Sequence, residues 1–132
     1  MKTRLLMRVS AVFMAALGAA ALFMPQEILL RYGAPDRGVL LLIVQAAGAL
    51  YLGFAIMNWM LQGSLIGGIY NRPLALGNFL HFAVVALNLV KAAAAGPRIP
   101  EVLIAAVIYA VIALWFGAVL FTHPIATSTR ET

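Results

Sequence analysis

The chain is 132 residues long, 64% hydrophobic and only 10% charged, with a net charge of +5 and no cysteine. Soluble domains run near 45–50% apolar and about 25% charged, so a water-soluble fold of this length is excluded because it could not hide so much apolar surface. Disulfides, thiolate metal sites and cysteine nucleophiles are excluded as well.

Taken in chain order, four apolar runs appear. The first, 5–24, is broken only by Arg8 and Ser10. Its leading MKTRLLMR has the charge of a secretory n-region and a small-residue GAAA follows, yet the segment is expected to stay as a membrane span. MPQE ends it, and EILLRY is expected as a short interfacial helix. YGAPDRG leads into the second run, 38–61. YNRP opens the third, 73–92, with Pro73 in the first turn, where its missing N–H costs nothing. GPRIPE turns into the fourth, 101–122, and HP closes it.

A spanning helix needs roughly 17–25 mainly apolar residues, and all four runs qualify. They do not alternate as barrel strands would, and an open sheet cannot cross lipid because its edge groups go unpaired. The predicted fold is all-α: a four-transmembrane-helix bundle, up-down-up-down, forming a single integral membrane domain over 1–132.

The nine Lys and Arg are scattered between the apolar runs rather than gathered into a stripe. Nucleic acid is therefore not the expected partner; membrane lipids, through their acidic headgroups, are. Lys2, Arg4 and Arg8 flank the first helix on its N-terminal side, and basic residues there stay in the cytoplasm. Four spans then place both termini and the 58–78 connection on the cytoplasmic side of the membrane.

Small residues let membrane helices approach one another. They recur as Ala11, Ala15 and Ala19 in the first span, Gly48 and Ala55 in the second, and Ala106, Ala110, Ala113 and Gly117 in the fourth. Packing within the bundle is the expected use; a homodimer seam, or a seam within a larger membrane complex, is the alternative. Tyr51, Trp59, Tyr70 and Trp115 are expected as interfacial belt residues or core fillers.

Polar residues collect where the second span ends and the third begins. At about 100° per residue, Tyr51, Asn58 and Gln62 share a face, as do Asn78, His81 and Asn88 with Lys91 at the margin. Pointed at lipid these groups are costly; pointed inward they can pair. One reading makes them hydrogen-bonded fasteners between helices. The other makes them a site for a small polar-headed lipophilic ligand. In that site Asn58, Asn78, His81 and Tyr51 line the head, Arg72 attracts an anionic group, and the first and fourth helices house a tail.

Other chemistry has little support. The four acids lie at segment ends or in loops and tail, so no paired intramembrane carboxylates exist, and neither Ser10 nor Ser64 has a base and acid to complete a triad. Catalytic residues and a metal site are therefore not expected, and no cofactor is assigned. A bis-histidine haem would have to use His81 and His123, yet His81 lies about 12 Å inside its helix and His123 at the end of another. GSLIGG lacks the lysine and the glycine spacing of a phosphate loop.

FMPQEILLRYG followed by QAAGALYLGFAIMNWM, spanning 23–60, resembles the first hairpin of the DoxX-like proteins and related uncharacterised small four-helix bacterial membrane proteins. The resemblance implies a bacterial inner-membrane bundle of a kind sometimes associated with redox or quinone-linked complexes. It carries over no functional residue. The function expected from the residues is non-enzymatic binding of a lipid or lipophilic small molecule at the cytoplasmic leaflet. The alternative is an accessory or assembly subunit of a larger membrane complex.

Overall fold

The computed structural model describes residues 2–34, 38–63, 71–96 and 99–122. The glycine-rich connection 64–70, residues Asp36, Arg37, Arg98 and His123, and the C-terminal tail lie outside the described residues. Among the described residues every regular element is an α-helix: α1 (Lys2–Phe23), α2 (Pro25–Arg31), α3 (Gly38–Met60), α4 (Asn71–Ala95) and α5 (Pro100–Thr122). α1, α3, α4 and α5 are long and apolar enough to cross a membrane. The chain is an all-α integral membrane protein, as its composition requires.

Local chemistry sets the helix ends. α1 stops at Phe23 because Pro25 has no N–H to continue the ladder, and Pro25 itself opens α2 at a position where that donor is not needed. α2 is the short helix expected at EILLRY. It ends in a Schellman motif: Gly33 adopts a positive φ of 66°, its N–H donates to Leu30 at 3.1 Å, and the Ala34 N–H donates to Leu29 at 2.9 Å. Glycine is required there because a side chain disfavours the left-handed conformation.

α4 begins at Asn71, two residues ahead of Pro73, which still falls inside the first turn. It runs on to Ala95, past the expected end near 92, because the alanine run KAAAA is a strong helix former and the Gly96 N–H still donates to Ala92 at 3.2 Å. α5 opens on Pro100 with Glu101 in its first turn, favourable at a helix N-terminus.

The chain divides into two compact units, Met1–Gly63 and Ser64–Thr132. The first is a hairpin of α1 and α3 with α2 at its turn. Its strands of contact run antiparallel, residue 10 against 58 and residue 18 against 48. Two glycines set the separation. A Cβ on Gly18 would stand 2.9 Å from the Gly48 carbonyl oxygen, and one on Gly48 would stand 2.8 Å from the Leu22 backbone nitrogen. The two backbones are therefore in direct contact, the use small residues are expected to have in lipid. Leu6, Met7, Ala11, Met14 and Ala55 are buried nearer the open end of the hairpin.

The second unit is the hairpin of α4 and α5. Phe82 and Phe116 have no accessible surface and stack with centroids 5.9 Å apart and ring planes 13° from parallel. Tyr109 adds a third ring, 5.4 Å from Phe82. The small residues of α5 make room for this packing. Ala106, Ala113 and Gly117 are buried, and a Cβ on Gly117 would stand 3.1 Å from the Phe79 ring.

Candidate functional site

The open end of the first hairpin gathers most of that unit's polar chemistry. Asn58, in the last turn of α3, has no accessible surface, and neither does Ser10 of α1. The Asn58 Nδ2 donates to Ser10 Oγ at 3.1 Å and lies 3.8 Å from Met14 Sδ. Ser10 Oγ in turn donates to the Met7 carbonyl at 3.1 Å. The serine hydroxyl is thus acceptor and donor at once, and α3 is latched to the backbone of α1 through two side chains. In a medium without water this arrangement is the inexpensive way to bury an amide.

Two residues toward the N-terminus from Ser10, Arg8 Nε donates to Gln62 Oε1, just beyond the end of α3. Arg4 occupies the preceding position on the same helix face, and its Nη2 lies 3.9 Å from where a Cβ on Gly63 would stand. Both arginines are exposed and both reach the same end of α3.

Beside this polar end runs an apolar groove of about 250 Å³, lined chiefly by Ala11, Val12 and Ala15 of α1 and by Ala55, Ile56 and Trp59 of α3. Alanines on both helices create it, because each lacks the side chain that would fill the furrow between the two cylinders. A shallower apolar depression continues along α1 from Arg8 through Val12 to Ala16.

In the second unit, Asn78 has no accessible surface and its Nδ2 donates to the Leu74 carbonyl one turn back, at 3.0 Å. This back-bond gives one amide N–H a partner within its own helix. His81 is half-buried, with its ring 5.2 Å from Phe82 and 6.0 Å from Tyr109, so it stands at the edge of the aromatic cluster. Asn71 is buried and Arg72 exposed. Asn88 and Lys91 are exposed, so the α4 polar stripe turns inward only at Asn78 and, in part, His81. Tyr51 is half-buried on α3, two turns from Asn58.

Of the residues marked in the sequence, Asn78 and His81 thus lie together on α4, with Arg72 at the start of the same helix. Asn58 and Tyr51 belong to the other unit, and the described partners of Asn58 are Ser10 and Met14 of α1. In the sequence Ser10 stands as an interruption of an apolar run with no base and acid to complete a triad, and Arg4 and Arg8 stand as n-region charges and topology determinants. A usable signal was present: Arg4, Arg8, Val12 and Ala15 follow one another at helical spacing, so a basic head runs directly into a small apolar face.

Among the described residues no three histidine, aspartate or glutamate side chains gather as a metal site requires. The geometry is that of a membrane protein with a latched hairpin, an apolar furrow and a basic rim. No family model, curated protein or solved structure matches the chain.

The latch has a measurable weight. Ser10→Ala and Asn58→Ala should each destabilise the protein, and a double-mutant cycle followed by detergent unfolding should give a coupling of about 0.6 kcal/mol and no more than about 1.7 kcal/mol. Additive single effects would mean the contact does not hold the hairpin.

Proposed function

We propose that the protein binds a lipid or lipophilic small molecule, without catalysis, at the cytoplasmic leaflet of a bacterial inner membrane, with both termini in the cytoplasm. The observation that carries this reading is the α1–α3 groove, apolar along its length and open to the surrounding membrane at Val12, Ile56 and Trp59. A furrow between two membrane helices admits an acyl or prenyl chain without displacing water. The Asn58–Ser10 latch supports it by holding Ala55, Ile56 and Trp59 in fixed register against α1. In this reading Asn58 shapes the site rather than touching the head of the ligand, while Asn78, His81, Arg72 and Tyr51 stay as sequence-based candidates for polar contacts. The DoxX-like resemblance of 23–60 fits the same membrane setting.

The second reading, an accessory or assembly subunit, draws on a different face. Ala46, Ala49 and Gly53 are exposed on α3, and nothing lies within 4 Å of a Cβ placed on Gly53. Small residues so disposed allow another helix to approach closely.

Native mass spectrometry after purification in mild detergent tests the first reading. The wild-type protein should retain a lipophilic adduct. Val12→Phe and Ile56→Phe, which fill the groove from exposed positions, should lose it while keeping wild-type helicity and melting. An adduct retained in both variants would place the ligand elsewhere.

A further inference from the structure

Resting on the groove as the binding site, we infer that its occupant is an anionic phospholipid, with the phosphate held by Arg4 and Arg8 and one acyl chain lying along the furrow. The argument is one of register and charge. Arg4 and Arg8 are one turn apart on one face of α1, and Ala11, Val12 and Ala15 follow on that face as the groove wall. From Arg8 to Ala15 the helix rises about 10 Å, the reach of a phosphate to the upper part of its acyl chain.

Among the described residues α1 carries no acid to offset this charge. The first acidic residue in the sequence is Glu27, beyond the far end of α1. Lys2 adds a further positive residue to the same helix start. A zwitterionic headgroup would bring its own cation against this cluster, whereas an anionic diester brings only the charge the rim lacks.

Gln62 sets the geometry. Its Oε1 accepts from Arg8 Nε, which leaves the four N–H groups on the two terminal nitrogens of that guanidinium to meet phosphate oxygens. Arg4, one turn nearer the helix start, approaches Gly63, where the absence of a side chain leaves room beside its Nη2. Trp59 lines the groove and is 53% exposed, which places an indole against the upper chain. Apolar furrow, aromatic side and paired guanidinium rim together match one amphiphile with a negative head.

Trp59 also supplies the readout, since the sequence holds only one other tryptophan, Trp115. The full chain carrying Trp115→Phe would be placed in phosphatidylcholine vesicles with rising fractions of phosphatidylglycerol brominated on its acyl chains. Quenching of Trp59 should saturate at a low mole fraction, ahead of the bulk composition. Arg4→Gln and Arg8→Gln should each lower that selectivity about fivefold, the weight of one basic residue at an anionic surface. Gln62→Ala should lower it less, and raised salt should weaken it in the parent.

Equal quenching by brominated phosphatidylglycerol and brominated phosphatidylcholine would overturn the anionic assignment. So would selectivity that survives in the double arginine variant, or displacement of the lipid by millimolar inorganic phosphate, which would mark a soluble anion as the occupant. Val12→Phe separates the two levels of the argument. If it removes quenching by both lipids alike, the groove binds chains without regard to charge and only the anionic assignment falls. If it changes nothing, the groove reading falls as well.

Discussion

Gly48→Leu should unfold the first hairpin. A Cβ at this position would stand 2.8 Å from the Leu22 nitrogen and 2.9 Å from the Gly18 carbonyl oxygen, both backbone atoms that no rotamer change can move. The helices must separate, and separation also breaks the Asn58–Ser10 contact ten residues along α3. Overpacking costs about 1–3 kcal/mol in soluble cores, and a leucine forced against backbone on both sides belongs at or above the top of that range.

The absence of native cysteine allows a direct assay. A Ser10→Cys, Asn58→Cys pair should cross-link under mild oxidation in the parent and fail to do so when Gly48→Leu is added. Gly53→Leu is the control, since nothing lies within 4 Å of its would-be Cβ. Wild-type cross-linking in the Gly48→Leu chain would show that the backbones do not meet there.

Phe82→Ala should be the most damaging single truncation in the second unit. Phe82 is fully buried among Phe116, Tyr109 and His81, with ring centroids between 5.2 and 5.9 Å. Removing it leaves a void the size of a ring, at a cost of about 3 kcal/mol. That figure is taken from the low end of the soluble range because leaving the core for lipid carries no penalty from water. Detergent unfolding followed by circular dichroism reads the change. Phe121→Ala serves as the comparison: Phe121 is 77% exposed and touches Phe79 only edge-on at 6.1 Å, so its loss should cost well under about 1 kcal/mol. Equal effects at the two positions would mean that the stacked cluster does not organise this hairpin.

How much of this was legible beforehand follows from what lipid does to sequence patterns. The spans were legible because length and apolarity alone define them, and Pro25, Gly33, Pro73 and Pro100 mark their ends by backbone chemistry. The inward faces were far less so. Residues facing lipid and residues facing a helix are equally apolar, so Phe82 and Phe121 look alike in the sequence although one is buried and the other exposed.

Small residues carried the remaining signal, and it was reliable at Gly48, Ala55, Ala106 and Gly117. Polar residues carried it in part. Asn58 and Asn78 could be marked as inward-facing from their cost in lipid, but the identity of a partner depends on the register between two helices, which periodicity within one helix does not encode. For that reason the sequence does not single out Ser10 as a partner of Asn58, and one described bond of Asn78 is made to its own helix.

The position of Arg8 also bears on bilayer thickness. Between Arg8 and the break at Met24, α1 offers an apolar length of about 24 Å, against about 36 Å for the uncharged run of α3 and its following turn. A hydrocarbon layer is about 30 Å deep, so one leg of this hairpin is too short and the other too long. The mismatch is relieved if headgroups dip toward Arg8 beside α1 while α3 leans to conceal its surplus. Such a hairpin is at ease where the membrane is thin and strained where it is thick, and its stability should fall as acyl chains lengthen from fourteen carbons to twenty.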